Sequence, residues 1–229
     1  MGVLAVPVNP LGSPRRLPVV VMAKVPAPGR AKTRMIPALG PDGAAALCRA
    51  MTADVFALVA ASGQPWRVAL DGDLDDPWVA TVPAPVEPQA PGDLGARLRH
   101  ALRDGGIAVG TDAPTLPPLV LARVELDLAR TDVVFVPAFD GGYVLVGVRE
   151  PGALGVFDGI PWSTAETYAA SVERAEALGL RHAALPFWYD VDEPRDLAFL
   201  RAQLRLLPAS VAPHTRALLQ ELPDAAPHR

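Results

Sequence analysis

Cysteine is almost absent from this chain, whose 229 residues contain a single one, Cys48, within an alanine-rich helical pattern. One thiol excludes a disulfide framework and a metal site built from cysteines. The four histidines are scattered without the spacing of metal ligands. The chain also lacks the GxSxG elbow of serine hydrolases, the GxGxxG dinucleotide fingerprint and the GxxxxGK[ST] phosphate loop. Any nucleotide or catalytic site must therefore be built differently.

A strong charge of one sign is also absent. The formal net charge is -4, which provides no broad field for attracting nucleic acid or anionic lipid. No apolar run approaches the ~18 to 20 residues that span a bilayer. The N-terminus is broken by prolines, so we expect neither a signal peptide nor an anchor there. Together with the single cysteine, these features predict a cytoplasmic protein that binds neither nucleic acid nor membrane.

The length of the chain suits one sizeable α/β domain. We expect a flexible leader over residues 1–17, a single domain over 18–207, and a C-terminal helix and tail over 208–229. Short β-type runs alternate with longer helical patterns, with roughly six strands and five helices. This order predicts a three-layer α/β/α sandwich around a mostly parallel mixed sheet.

Periodicity also predicts where particular elements begin and end. Helices are expected over about residues 42–61, 163–178 and 193–207, and a strand-like segment over about 182–189. Four polar segments each follow a predicted strand: KVPAPGRAKTR, TDAP, FDGG and YDVD. Because ligands of such sheets bind beyond the carboxyl ends of the strands, we expect these segments to converge on one edge.

The first of these segments is basic. It carries Lys24, Arg30, Lys32 and Arg34 with no acidic side chain between them, and Gly29 would let backbone N–H groups approach a ligand closely. Such a loop can bind the phosphates of a nucleotide. A solvated basic turn has the same composition, and the residues alone leave both interpretations open.

Aspartates follow two of the other strands. Asp112 directly follows a buried run, and carboxylates at strand ends are common Mg²⁺ ligands, although a turn aspartate before proline explains it as well. Asp190 and Asp192 lie two apart and would face the same side of a strand. Asp192 precedes Glu193 and Pro194, which favours a helix N-cap and leaves Asp190 as the better second ligand.

The segment FDGGYVLVG offers a different kind of contact. Asp140 beside two glycines could bind a hydroxyl group, although a plain hairpin turn explains the same sequence nearly as well. Trp162, in the turn-like IPWST, could line a pocket. Ser163 or Thr164 is first of all a helix cap.

Six motifs in order resemble one bacterial family. They are VVVMAKVPAPGRAKTRMIPALGPDGAAALCRAM, QAPGDLGARL, GTDAPTL, FDGGYVLVG, FDGIPWST and YDVDEPRDL. The resemblance runs over about residues 19–204. The family has the GT-A fold of nucleotide-diphospho-sugar transferases. It has been described as a domain of unknown function, and some members carry the label arsenosugar-biosynthesis glycosyltransferase. The chain is more distantly similar to the guanylyltransferases that activate phospholactate and the molybdenum cofactor.

This resemblance implies roles for particular residues. The implied nucleotide-binding residues are Lys24, Pro28, Gly29, Lys32, Arg34, Gln89, Gly92 and Asp93. Asp112, with Asp190 or Asp192, would hold Mg²⁺ (or Mn²⁺). The implied acceptor-binding residues are Asp140, Gly141, Gly142, Tyr143, Trp162 and Ser163. The chain departs from the family pattern in a shorter link over residues 103–106 and in Ala113, where a cysteine or threonine is expected.

The combined expectation is a Mg²⁺-dependent transferase that binds a nucleoside triphosphate or a sugar nucleotide and moves a nucleotidyl or glycosyl group to a small acceptor. Lys32 and Arg34 would stabilise charge that develops on phosphate, which slightly favours nucleotidyl transfer. Inverting glycosyl transfer would need a general base, for which Asp140 is the candidate. A non-catalytic nucleotide sensor is the other hypothesis, and the apolar C-terminal helices allow a homodimer.

Overall fold

The computed structural model describes residues 16–222. Nearly all of the predicted leader, and residues 223–229 of the predicted tail, lie outside this range.

A single seven-stranded sheet forms the middle of the fold, in the order β3-β2-β1-β4-β6-β5-β7. Strand β6 runs antiparallel to both of its neighbours, and every other neighbouring pair is parallel. The strands are β1 Val19–Lys24, β2 Trp66–Asp71, β3 Val86–Pro88, β4 Gly106–Gly110, β5 Val133–Pro137, β6 Tyr143–Val148 and β7 His182–Ala184.

Helices cover both faces of this sheet. They are α1 Ile36–Ala61, α2 Leu94–Ala101, α3 Leu119–Leu128, α4 Thr167–Ala177, α5 Pro194–Leu206 and α6 Pro213–Glu221. Side chains alternate along β1, so that Val21 packs in the same cluster as α1 and α3 while Val20 packs against α2. On the second face, α2 and α4 pack with Phe135 of β5. The predicted three-layer sandwich with a mostly parallel mixed sheet is confirmed.

Some boundaries differ from the predictions. Helix α1 begins at Ile36, six residues early, and Gly40 interrupts it with φ 68° and ψ 170° before Pro41. Helix α4 begins at Thr167, with Glu166 as its N-cap, after a turn in which Ser163 is left-handed with φ 61°. Strand β3 is a three-residue edge strand within a proline-rich stretch, where no strand was predicted. At these places a residue with positive φ or a short strand pairing departs from the periodic pattern.

Helix α1 with its preceding 3₁₀ turn, Thr33–Ala61, is long and apolar enough to cross a membrane by length and composition, which contradicts the expectation that no such run exists. More than half of its most apolar window, 56%, is buried inside the fold. Its side chains pack on the sheet through Val55 and Val59, and on α5 and α6 through Leu47 and Met51. Packing on two sides explains the apolar composition of an interior helix.

Helix α6 is attached to α1 by a buried carboxylate. Asp54 is 4% exposed, and its two oxygens accept hydrogen bonds from the backbone N–H groups of His214 (2.9 Å) and Thr215 (2.8 Å). First-turn N–H groups of a helix have no partner within that helix. Asp54 therefore satisfies two donors of α6 and ties it to the domain.

We expect Asp54→Ala to lower the free energy of unfolding by about 1–3 kcal/mol, because two buried N–H groups lose their acceptors. Denaturant unfolding followed by circular dichroism measures the change. The exposed Asp75→Ala is the matched control and should change stability by less than about 0.5 kcal/mol. Equal stabilities of the two variants would contradict this role of Asp54.

Candidate functional site

Two adjoining cavities open at the carboxyl ends of β1 and β4. The first, of about 420 Å³, is lined by the end of β1, the loop 30–34, the end of β4 and Asp192. The second, of about 490 Å³, is lined by residues that include Asp140, Tyr143, Trp162 and Asp190, and it shares Asp112 and Asp192 with the first. The structure thus brings the four polar segments together at one edge of the sheet.

Lys32 is the central contact of this edge. Its Nζ lies 2.6 Å from Asp112 Oδ1 and 2.6 Å from Asp192 Oδ1, and it donates a hydrogen bond to the carbonyl oxygen of Val191 at 2.6 Å. Only 6% of the side chain is exposed. An ammonium group has three donors, and all three are used within the protein. Lys32 therefore holds carboxylates in this structure rather than presenting its charge to a phosphate.

The ionisation of Lys32 reflects these partners. Burial lowers the pKa of its ammonium, but Asp112 and Asp192 raise it by more, so that the pKa lies above its ordinary value. The backbone of Lys32 is also in the left-handed region, with φ 48° and ψ 47°, which costs a residue with a side chain about 1–2 kcal/mol. Three charge-assisted contacts offset that cost.

The prediction that Asp192 caps the following helix is wrong. Glu193 is the N-cap of α5 and forms a capping box with Asp196. One carboxylate oxygen of Asp196 accepts hydrogen bonds from the backbone N–H groups of Asp192 (2.9 Å) and Glu193 (2.7 Å). The Asp192 carboxylate is therefore free to pair with Lys32.

Asp190, expected to be the better second metal ligand, lies on the other side of this arrangement. It lines only the second of the two cavities and has no ion-pair partner among residues 16–222. Burial, and then the negative charges of Asp140 and Asp192, raise the pKa of Asp190 to about 6. The two carboxylates that converge on one point are instead those of Asp112 and Asp192.

Three cations of the loop and strand end remain exposed at the first cavity. Lys24 lies 3.8 Å from Asp71 and is 53% exposed, and Arg34 lies 3.9 Å from Glu193 and is 71% exposed. Arg30 also lines the cavity and has no ion pair within the described residues. It was not among the implied binding residues, although it belongs to the same run of charges. The cations that can reach a ligand are these three.

Gln89 lines the first cavity, but its amide is occupied. Nε2 donates to the carbonyl oxygens of Ala23 and Ala69 at 3.0 Å each, and Oε1 accepts from Arg97 at 3.1 Å. Arg97 also lies 3.2 Å from Asp71. Gln89 thus ties the ends of β1 and β2 together beside the cavity.

Four other implied nucleotide-binding residues do not line the first cavity. Asp93 is the N-cap of α2 and accepts a hydrogen bond from the N–H of Ala96 at 2.8 Å. Gly92 precedes it with φ 108°. Gly29 forms a turn with φ 76°, and Pro28 lines a separate groove along α1. These residues shape the backbone around the cavity.

The glycine turn of FDGG forms part of the second cavity. Asp140 Oδ1 accepts a hydrogen bond from the N–H of Gly142 at 2.8 Å. Gly141 has φ 91°, and a Cβ there would lie 2.1 Å from the carbonyl oxygen of Ala165. Only glycine fits this close approach.

Aromatic rings form another wall of the second cavity. Trp162 and Tyr143 meet edge to face with centroids 6.2 Å apart, and Ser163 follows in its left-handed turn. A Cβ at Gly95 would lie 2.6 Å from the indole Nε1 of Trp162, so α2 approaches this ring closely. Burial raises the pKa of Tyr143 above its ordinary value, which keeps its hydroxyl neutral.

We expect Lys32→Met to lower the free energy of unfolding by about 1–3 kcal/mol, because Asp112 and Asp192 lose their common cation. Since pairing raises the Lys32 pKa, the contribution is fully present below the ordinary lysine value of 10.5 and is lost only as pH rises beyond it. Denaturant unfolding at pH 7 measures the loss. Arg34→Met, which removes an exposed cation of the same loop, should change stability by less than about 0.5 kcal/mol. An unchanged stability of Lys32→Met would contradict the bridging role.

Known proteins share this architecture. The chain matches a candidate nucleotide-diphospho-sugar transferase from Desulfovibrio desulfuricans G20 with a TM-score of 0.80 and 30% identity, covering 90% of this chain and 97% of that one. CMP:2-keto-3-deoxy-manno-octonic acid synthetase complexed with CTP matches with a TM-score of 0.52 and 14% identity, over 82% of this chain and 98% of that one. 4-Diphosphocytidyl-2C-methyl-D-erythritol synthase from Anaerococcus prevotii DSM 20548 matches with a TM-score of 0.52 and 10% identity, over 83% and 99%. At such identities the last two matches show the fold alone.

The sequence comparison agrees with the structural one. The profile of a family described as an uncharacterized protein conserved in bacteria, DUF2064, matches residues 52–164. No curated protein matches the chain. The similarity to the Desulfovibrio protein extends over nearly the whole of both chains. This chain and that protein therefore belong to one family, a family of bacterial proteins with the nucleotide-diphospho-sugar transferase fold.

Proposed function

We propose that the protein is a divalent-metal-dependent transferase. It binds a nucleoside triphosphate or a sugar nucleotide in the first cavity and transfers a nucleotidyl or glycosyl group to a small acceptor in the second. One observation carries this proposal: exposed cations and a converging pair of carboxylates share a single cavity at the carboxyl edge of the sheet. Such edges are where α/β sheets bind ligands. The family relationship supports the same class of activity.

The phosphates are assigned to the exposed cations of the first cavity. Arg30 and Arg34 present guanidinium groups that suit bidentate contacts with phosphate oxygens, and Lys24 adds a third positive charge. Lys32 lies behind them, committed to Asp112 and Asp192. Its role in this proposal is to position the two carboxylates.

The metal is assigned to Asp112 and Asp192. Both carboxylates line the first cavity. Lys32 occupies their Oδ1 atoms at 2.6 Å each, which leaves the Oδ2 atoms as the oxygens that an ion would use. No group of three or more His, Cys, Asp or Glu side chains with metal-site geometry occurs among residues 16–222. Two carboxylates nevertheless fit Mg²⁺, which commonly takes one or two from protein and the rest from phosphate and water. A bound ion would neutralise negative charge on the phosphate oxygens.

The loop slightly favours nucleotidyl transfer over glycosyl transfer. Lys32 is paired with carboxylates, so Arg30 and Arg34 are the two neighbouring cations that can stabilise a leaving pyrophosphate. The released product distinguishes the two reactions. Pyrophosphate release from a nucleoside triphosphate identifies nucleotidyl transfer, and nucleoside diphosphate release from a sugar nucleotide identifies glycosyl transfer.

We expect Arg30→Ala and Arg34→Ala each to weaken nucleotide binding by about tenfold or more, because charge-assisted contacts with phosphate are lost. Calorimetric titration with nucleoside triphosphates and sugar nucleotides, with and without Mg²⁺, measures the affinities. Arg205→Ala, an exposed arginine on α5, is the control and should bind like the wild type.

Asp112→Asn tests the metal assignment in the same titrations. We expect this variant to lose the dependence of nucleotide binding on Mg²⁺. Tight binding that is indifferent both to Mg²⁺ and to this substitution would favour the non-catalytic sensor instead.

A further inference from the structure

We propose that the second cavity accepts an uncharged, hydroxyl-bearing molecule, and that the carboxylates of Asp140 and Asp190 exclude acceptors carrying a phosphate or carboxylate. This inference rests on the proposed function, since it names the acceptor class of that transferase. It follows from how charge is divided between the two cavities.

The ionisable side chains of the second cavity are almost all acidic. Four aspartates line it, and Arg34 is the one Lys or Arg among its lining residues. Asp112 and Asp192 share Lys32 as their cation. Asp140 and Asp190 have no cation within ion-pair distance among residues 16–222. Two uncompensated carboxylates thus face the space where an acceptor would lie.

Arg34 does not alter this balance. It lines both cavities, is 71% exposed, and lies 3.9 Å from Glu193. In the proposed function its guanidinium contacts the phosphates in the first cavity. An anionic acceptor would therefore meet Asp140 and Asp190 without a cation reserved for it. Even at the dielectric constant of water, each like charge about 4 Å away disfavours an anion by roughly fivefold.

The same wall suits hydroxyl groups. Asp140 Oδ1 accepts the N–H of Gly142, and the other oxygen, Oδ2, has no hydrogen-bond donor among the described residues. A carboxylate oxygen accepts hydrogen bonds readily from a hydroxyl, which carries no charge to repel. The uncharged rings of Tyr143 and Trp162 line the same space and suit the carbon skeleton of a polyol or sugar.

The chemistry of both transfers agrees with a hydroxyl acceptor. The acceptor oxygen forms the new bond to phosphorus or to the anomeric carbon. The bond to the leaving pyrophosphate or nucleoside diphosphate breaks, and its electron pair leaves with that group. The hydroxyl proton passes to solvent. No oxidant, reductant or further reactant is needed.

Matched sets of probes test the proposal on the full chain. The first set is glucose, glucose 6-phosphate and gluconate, and the second is glycerol, glycerol 3-phosphate and glycerate. Each probe is titrated calorimetrically at pH 8 into protein saturated with Mg²⁺ and the nucleotide that binds best, and release of pyrophosphate or nucleoside diphosphate is followed as kcat/KM. We expect the uncharged member to exceed its phosphorylated and carboxylated counterparts by about tenfold or more in at least one set.

Removing the charges should remove the discrimination. In the double variant Asp140→Asn and Asp190→Asn, the amides keep the shape of the wall, and we expect the ratio between uncharged and anionic probes to fall to about twofold or less. The exposed Asp75→Asn is the control and should keep the wild-type ratio. An unchanged ratio in the double variant would show that these carboxylates do not set the preference.

Three other outcomes overturn the proposal. Equal or better binding of the phosphorylated or carboxylated probes by the wild type contradicts exclusion of anions. Binding of nucleotide without binding of any uncharged probe removes the acceptor assignment and leaves the proposed function standing. Absence of nucleotide binding overturns the proposed function itself, so the two failures are distinguishable.

Discussion

The site depends on the position of one ammonium group between two carboxylates. Lys32 comes from the loop after β1, Asp112 follows β4, and Asp192 precedes α5, so the contact joins segments up to 160 residues apart in sequence. A backbone hydrogen bond from the N–H of Val191 to the carbonyl oxygen of Asp112, at 2.8 Å, holds the last two segments together beside it. If the lysine were absent, the carboxylates would repel each other across the edge of the sheet. The arrangement of both cavities follows from this pairing.

An internal cation also lets the site exist before any ligand binds. Carboxylates that converge on one point are costly in a folded protein unless a positive charge balances them. Because the chain supplies that charge itself, the loop and both strand ends can hold their positions in the free protein, and less ordering remains to be done on binding. The exposed Arg30 and Arg34 carry the charge available to a ligand, whereas Lys32 maintains the geometry. The role of each cation in this loop therefore depends on how deeply its side chain is buried.

The fold and the meeting of the polar segments could be predicted from the sequence, because strand periodicity and the order of elements determine which ends share an edge. The partner of Lys32 could not, because its contact joins distant segments and depends on a left-handed backbone at a residue other than glycine. The capping error had a readable signal, since Glu193 and Asp196 are spaced as a capping box, although Asp rather than Glu or Gln occupies the third helical position. Gln89 shows another limit of prediction from sequence. Its residue type suits a ligand contact, but its amide already donates hydrogen bonds to two backbone carbonyl groups.

Segregation of charge across the shared edge follows from the same geometry. Asp112 and Asp192 share Lys32 as their cation, whereas Asp140 and Asp190 line the second cavity without an ion-pair partner among residues 16–222. Lys24 and Arg30 line the first cavity and not the second, whereas Arg34 lines both, so the exposed cations are concentrated on the loop side of the shared edge. A ligand that spans them would place its anionic part on the loop side and its neutral part on the aspartate side. A charge distribution of this kind orients a substrate without a conformational change, because the reversed orientation would place the anionic part of the substrate against Asp140 and Asp190.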